Sequence, residues 1–200
     1  MESVNLQHPM RRIDGHTIAA LLNPRPSVLV TCCDAEGNPN VLSVAWQTPL
    51  SHEPPMLGIS IDMRRYSHAL LEQAGQFVVN VVSADMQPAI ELCGNYSGRQ
   101  VNKVLMASLK LSPAHCVRPS LIGGALAHLE CEVAQMLDTG DHTFFVAHVV
   151  FAQANSQCFS EAWDPQTGNV LLCLQRDRFG TWAELSSSKE ESHHDNEFGS

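Results

Sequence analysis

The chain has 200 residues, enough for one domain with a tail and enough to bury a core without disulfide staples. Its 12 basic and 21 acidic residues leave a formal charge of −9, so no chain-wide positive field exists to gather a nucleic acid. No apolar run approaches the roughly 20 residues of a spanning helix, and the opening MESVNLQHPMRR lacks the segments of a secretory signal. A soluble, cytoplasmic protein with no membrane or nucleic-acid partner is therefore expected.

In chain order, Ile18 to Leu22 is a short helical candidate, stopped by Asn23-Pro24-Arg25-Pro26. Ser27 to Cys33 is apolar and β-branched, Asp34 to Asn38 carries turn chemistry, and Pro39 to Thr48 resumes strand character, which together predict a hairpin. After Pro54-Pro55, Met56 to Ile61 reads as a buried strand. Tyr66 to Gln73 has helical spacing with Gly75 as its stop, Phe77 to Val82 is a further strand, and Met86 to Cys93 is a second helix ended by Gly94.

Asn95 to Pro119 reads as a loop with a helical turn at Val104 to Ala107. Ala125 to Leu137 and His142 to Gln153 are long strands joined by Asp138-Thr139-Gly140-Asp141, a sequence suited to a tight hairpin. Alternation predicts Leu129, Cys131, Val133 and Leu137 inside, with Glu130 and Glu132 in water. Val170 to Leu174 would add a final edge strand. Short helices among many strands describe a mainly β protein, a small antiparallel barrel with appended helices. A doubly wound α/β fold would need crossovers longer than Cys33 to Pro39 or Asp138 to Asp141. The organisation expected is an N-terminal arm (1–23), one barrel domain (24–185) and a disordered tail (186–200) that has no core-forming residue before Phe198.

The seven cysteines form an odd, scattered set with no pair at the two-residue spacing of a zinc or redox motif, so they read as reduced thiols and no metal site is expected. No phosphate-binding loop, dinucleotide fingerprint or serine elbow is present. An anion-binding pattern remains: Arg64, Arg65 and Ser67 open a predicted helix, where free N–H groups and the dipole favour a phosphate, although the arginines read equally well as solvated corner residues. Ser97-Gly98-Arg99, with Asn102 and Lys103, forms a second basic patch whose glycine lets the backbone approach an anion. Trp46 reads as a core or rim aromatic, or else as a ligand-stacking one. His142 reads as a turn histidine, or else as a proton or hydrogen-bond donor to a bound ring.

Several runs carry a resemblance: Pro24-Arg25-Pro26-Ser27-Val28-Leu29-Val30-Thr31, Asn40-Val41-Leu42-Ser43-Val44-Ala45-Trp46-Gln47-Thr48-Pro49, Arg65-Tyr66-Ser67-His68, Glu91-Leu92-Cys93-Gly94, Ser97-Gly98-Arg99 with Lys103, and Gly140-Asp141-His142-Thr143. In this order and spacing, from about Pro24 to Ala152, the chain resembles the flavin-reductase-like, flavoredoxin-type family. The resemblance implies a Greek-key-like split β-barrel that dimerises and holds FMN non-covalently near the subunit interface. It also implies that Ser43, Val44, Ala45, Trp46 and Thr48 lie along the isoalloxazine, that Ser60, Arg65 and Ser67 hold the phosphate, and that Lys103 assists, with Ser97 and Arg99 nearby. Asp62, unfavourable beside a phosphate, is expected to cap the helix or pair with an arginine.

On this reading the protein is an NAD(P)H-dependent flavin reductase that passes electrons to flavin or to a downstream acceptor such as a partner oxygenase, with His142 as the one catalytic candidate. The alternatives are an FMN-binding electron carrier or binding module without nicotinamide turnover, and a barrel that has lost its cofactor and serves in protein interaction.

Overall fold

The computed structural model describes residues 10–184, so the expected tail at 186–200 and the first part of the N-terminal arm lie outside the described residues. The strands are β1 (Arg25–Pro26), β2 (Val28–Cys33), β3 (Pro39–Val44), β4 (Gln47–His52), β5 (Pro55–Asp62), β6 (Gln76–Val81), β7 (Leu111–Ser112), β8 (Leu121–Ile122), β9 (Ala127–Thr139), β10 (His142–Ala154), β11 (Leu172–Gln175) and β12 (Arg178–Gly180). The helices are α1 (Tyr66–Ala74), α2 (Gln87–Asn95) and α3 (Lys103–Met106), with 3-10 turns at Gly15–Leu22 and Ala84–Met86.

Seven strands make one antiparallel sheet in the order β3-β2-β6-β9-β10-β5-β4. β3 and β4 stand at opposite ends of that order, yet only Ala45 and Trp46 separate them in the chain. Three Cα steps span at most about 11 Å, so the two ends of the sheet must meet, and the sheet curls into a barrel. The single strand expected from Pro39 to Thr48 is therefore two strands broken at Ala45-Trp46. The Ser60 N–H donates to the Trp46 carbonyl at 2.9 Å, extending the β4–β5 ladder into the break.

All six residues of β2 are buried, because both of its faces are covered. Val28, Val30 and Cys32 point into the barrel with Ile59, Phe77 and Phe145, while Leu29 packs outward with Val41, Ile90, Cys93 and Leu171 under α2. Gly75 ends α1 in the left-handed conformation at φ 63°, as its position predicted. Gly94, expected to end α2, lies inside its last turn, and Tyr96 is the cap residue. Val170 to Leu174 is not a final edge strand: β11 runs between β1 and β12 in a separate three-stranded sheet.

Two expectations for β9 are corrected. Val133 opposes Ala147 and Gln135 opposes Val146, so Ala134 is an unpaired bulge. The extra residue reverses the alternation, and Leu137 opposes Phe144 on the outer face, where it is 50% exposed. Glu130 points outward as predicted, but it is fully buried, because the segment from His115 to Val117 folds across it. Thr31 and Asn80, also buried, carry the neighbouring parts of that segment through bonds to the Ser120 carbonyl and the Ile122 N–H.

Candidate functional site

A cleft of about 440 Å³ opens where the ends of the barrel sheet meet, between the β3–β4 break, the β5–α1 corner, the α2–α3 connection and the start of β10. That volume is in the range of small-ligand sites. Ser43, Val44, Ala45 and Trp46 line it along the break, Ser60, Arg65 and Ser67 along the corner, and Ser97, Lys103 and His142 around the remainder.

Thr48 and Arg99 are not brought into this lining. Thr48 is exposed two residues past Trp46, its hydroxyl donating to the Pro49 carbonyl at 3.3 Å. The Arg99 guanidinium lies 5.4 Å from the centre of the Tyr66 ring, a cation–π contact at the rim.

The floor is cationic. Lys103 opens α3 and is 5% exposed, and its ammonium donates to the Cys93 carbonyl at 3.3 Å. Arg65 donates to the Gly94 carbonyl at 3.2 Å. Both carbonyls belong to the last turn of α2, where cations complement the helix dipole. Burial pulls the Lys103 ammonium below its ordinary pKa, and Arg65 nearby acts in the same direction. The same desolvation pushes the Cys93 and Cys32 thiols up to about 11, so neither is a nucleophile at neutral pH. The first turn of α1 also borders the cleft: no side chain caps it, and although the His68 N–H turns back to the Arg65 carbonyl at 3.0 Å, the N–H groups of Tyr66 and Ser67 precede any intrahelical acceptor.

One buried residue that holds this corner was missed as site-forming: Asn40 donates to the Ser67 hydroxyl at 3.0 Å. Gly98, named for its backbone freedom, lies so close to it that a Cβ there would collide with Asn40 Oδ1. The signal for Asn40 was a polar residue among the apolar positions of β3. Asp62 pairs with Arg64, accepting from Nη2 at 2.7 Å, from Nε at 3.0 Å and from the Arg64 N–H at 2.9 Å. These bonds hold its carboxyl well below the usual range and neutralise it at the cleft wall.

His142 is fixed on two sides: its Nδ1 lies 2.6 Å from Asp141 Oδ1, and its ring stacks on Trp46 at 4.9 Å between centroids. A carboxylate at Nδ1 keeps the proton there, which makes Nε2 an acceptor in the neutral ring. Among the described residues no three His, Cys, Asp or Glu converge as metal ligands, and no helix is long and apolar enough to cross a membrane.

A match to the family described as flavin reductase like domain spans residues 21–183. An uncharacterized protein of Archaeoglobus fulgidus is 38% identical over 112 residues, which are 56% of this chain and 63% of that protein. An uncharacterized protein of Pyrococcus abyssi is 33% identical over 185 residues, 91% of this chain and 95% of its own length. The reductase component of a 4-nitrophenol 4-monooxygenase/4-nitrocatechol 2-monooxygenase from Rhodococcus opacus is 27% identical over 153 residues, 76% of this chain and 72% of its own. Among solved structures, an FMN-binding protein of Thermus thermophilus superposes with a TM-score of 0.78 at 27% identity, covering 94% of this chain and 99% of that one. With its curled antiparallel sheet and a family match over most of its length, the chain belongs to the flavin reductase like domain family and folds as a split β-barrel.

Proposed function

We propose that this protein is an FMN-binding oxidoreductase that takes electrons from NADH or NADPH and delivers them to flavin or to a downstream acceptor. The observation that carries this reading is Lys103, a buried ammonium on the floor of an open cleft with one carbonyl at 3.3 Å, beside Arg65 and facing the first turn of α1. A buried cation so thinly solvated by protein calls for an anion, and a phosphate accepts from guanidinium, ammonium and helix N–H groups together. The residues present therefore fit the phosphate of FMN, with Ser60, Ser67 and Ser97 as further donors and the wall from Ser43 to Trp46 along the ring. Thr48 and Arg99 enter only as rim residues.

The bound flavin would supply the hydride chemistry. The chain would bind it, orient it and exclude water. His142 would accept a hydrogen bond through Nε2 when neutral and donate a proton only as imidazolium. The Rhodococcus relative supports a partner oxygenase as acceptor.

Titration of the flavin-free chain tests the cleft. Replacing Arg65 and Ser67 together by alanine should weaken FMN at least tenfold, about 1.4 kcal/mol or more, and leave riboflavin, which lacks the phosphate, unchanged. Equal weakening of both ligands would place the phosphate elsewhere. Anaerobic addition of NADH or NADPH should bleach the visible flavin absorption. An unbleached spectrum with both would leave an electron carrier. The protein is proposed to be a homodimer, since Leu50, Leu137 and Val150 leave apolar surface exposed on the β4, β9 and β10 strands. Light scattering should then give twice the 21.9 kDa of the chain, and a monomer that retains FMN would refute the dimer.

A further inference from the structure

A second cleft, of about 370 Å³, adjoins the first and shares Ala45 and Trp46 with it, so the indole is a partition between two chambers. Its other walls include Thr17, Asn23, Cys173, Gln175 and Arg176. These walls are tied together in the protein itself. The Asn23 side-chain amide donates to the Leu174 carbonyl at 2.7 Å, and Arg25 pairs with Cys173 in the β1–β11 ladder. The Arg25 guanidinium donates to the carbonyls of Leu22 at 3.2 Å and Ala19 at 3.0 Å, and its carbon lies 5.9 Å from the centre of the Trp46 ring. A chamber braced in this way is preformed, so a ligand meets little ordering cost.

The chemistry of the chamber is specific in sign. No Asp or Glu is among its lining residues, Arg176 lines it and Arg25 stands at its edge, in a chain that carries −9 overall. Arg176 occupies the hairpin turn between β11 and β12 at φ 40°, a conformation that such turns usually assign to Gly or Asn. The turn thus carries a long cation where its geometry favours a small residue. Beside these cations lie an indole, an amide and a hydroxyl.

We propose that this second cleft binds a small planar organic anion, a ring carboxylate of the benzoate kind, with its ring against Trp46 and its carboxylate on Arg176 and Arg25. Guanidinium forks match carboxylate oxygens, and an indole offers a flat apolar wall. Because Trp46 stacks on His142, occupancy of the second cleft bears directly on a wall of the first. The inference stands apart from the flavin reading, since of the residues it uses only Trp46 lines both chambers.

Cys173 is a free thiol in this lining and Cys116 is an exposed free thiol elsewhere, so the pair reports occupancy. In the full chain as purified, benzoate should slow iodoacetamide alkylation of Cys173 in a saturable way and leave Cys116 unchanged, read by peptide mass spectrometry. Cyclohexylmethanol, neutral and non-planar, should protect neither. Arg176→Gln should raise the half-protecting benzoate concentration at least tenfold, and Arg176→Gly, which suits the turn, should do the same without lowering the melting temperature. Lys103→Met, which alters the other cleft and its FMN affinity, should leave the half-protecting benzoate concentration at Cys173 unchanged. Absent protection, equal protection of both cysteines, or protection indifferent to the Arg176 variants overturns the proposal. Protection lost with Lys103→Met but not with Arg176→Gln also overturns it and moves the anion to the first cleft.

Discussion

Among the described residues two charged side chains are taken out of water, Glu130 on β9 and Lys103 at the head of α3, and their surroundings differ in kind. The Glu130 carboxylate accepts from the His115 N–H at 2.9 and 3.1 Å, from the His115 ring at 3.1 Å and from the Cys116 N–H at 2.6 Å. Lys103 has one carbonyl at 3.3 Å and opens onto a cleft. Desolvation pushes the Glu130 pKa up, but the amides of His115, Cys116 and Val117 outweigh it and hold the carboxyl below its usual value. For the Lys103 ammonium the balance goes the other way: burial outweighs what Cys93 and Cys32 offer, and its pKa falls. A buried charge satisfied by its own chain is a fastener. One left short of partners at a cleft floor is suited to a ligand that is not part of the chain.

The largest expected effect breaks the fastener. Glu130→Ala would strand the amides of a covered segment and should cost about 3 to 5 kcal/mol, which at roughly 2 to 4 °C per kcal/mol is a fall of ten degrees or so in Tm by calorimetry. A loss under 1 kcal/mol would show that water replaces the carboxylate and that the segment does not depend on it.

Lys103→Met should do the opposite on both counts. The flavin-free protein should melt no lower than the parent, while FMN binding weakens on the order of tenfold to a hundredfold, as expected for a charge-assisted phosphate contact. A destabilised variant with unchanged FMN affinity would make Lys103 a mere cap on α2. The pH dependence sharpens the contrast. With its folded pKa below the unfolded value, Glu130 contributes stability above the unfolded carboxylate pKa, and this is lost as acid carries the pH down through the folded one. For Lys103 the unfolded chain binds the extra proton, so stability should rise with pH between the lowered folded pKa and 10.5. Chemical denaturation across that alkaline window should show the rise in the parent and not in Lys103→Met.

The smallest effect tests how the cleft corner is packed. In Gly98→Ala the new Cβ would push Asn40 away from Ser67. A loss of about 1 kcal/mol in stability is expected, the low end of overpacking, because the displaced group is a side chain that can turn. FMN should weaken while riboflavin does not. Unchanged stability together with unchanged FMN affinity would mean that Asn40 does not position Ser67.

Much of the architecture is local chemistry and was legible as such. Strand patterning marked β9 and β10, Asp138-Thr139-Gly140-Asp141 marked their turn, and Gly75 marked the end of α1, because each rests on the preferences of a few adjacent residues. Of the twelve predicted site residues, ten line the one cleft, with Thr48 and Arg99 outside it.

What only the tertiary structure decided depends on partners far along the chain. The break at Trp46 exists because the two ends of a seven-stranded sheet must meet there, and no property of Pro39 to Thr48 taken alone requires it. The bulge at Ala134 is a matter of register against β10. Alternation told which way Glu130 points, but whether water or protein waits on that side was settled by a segment fifteen residues upstream. Lys103 was legible in sequence as part of a basic patch, but it becomes a buried cation only when α2, α3 and the barrel close around it. Side-chain direction is set by the local backbone, whereas burial, and with it charge compensation and ligand affinity, is set by whatever else the fold brings to that side.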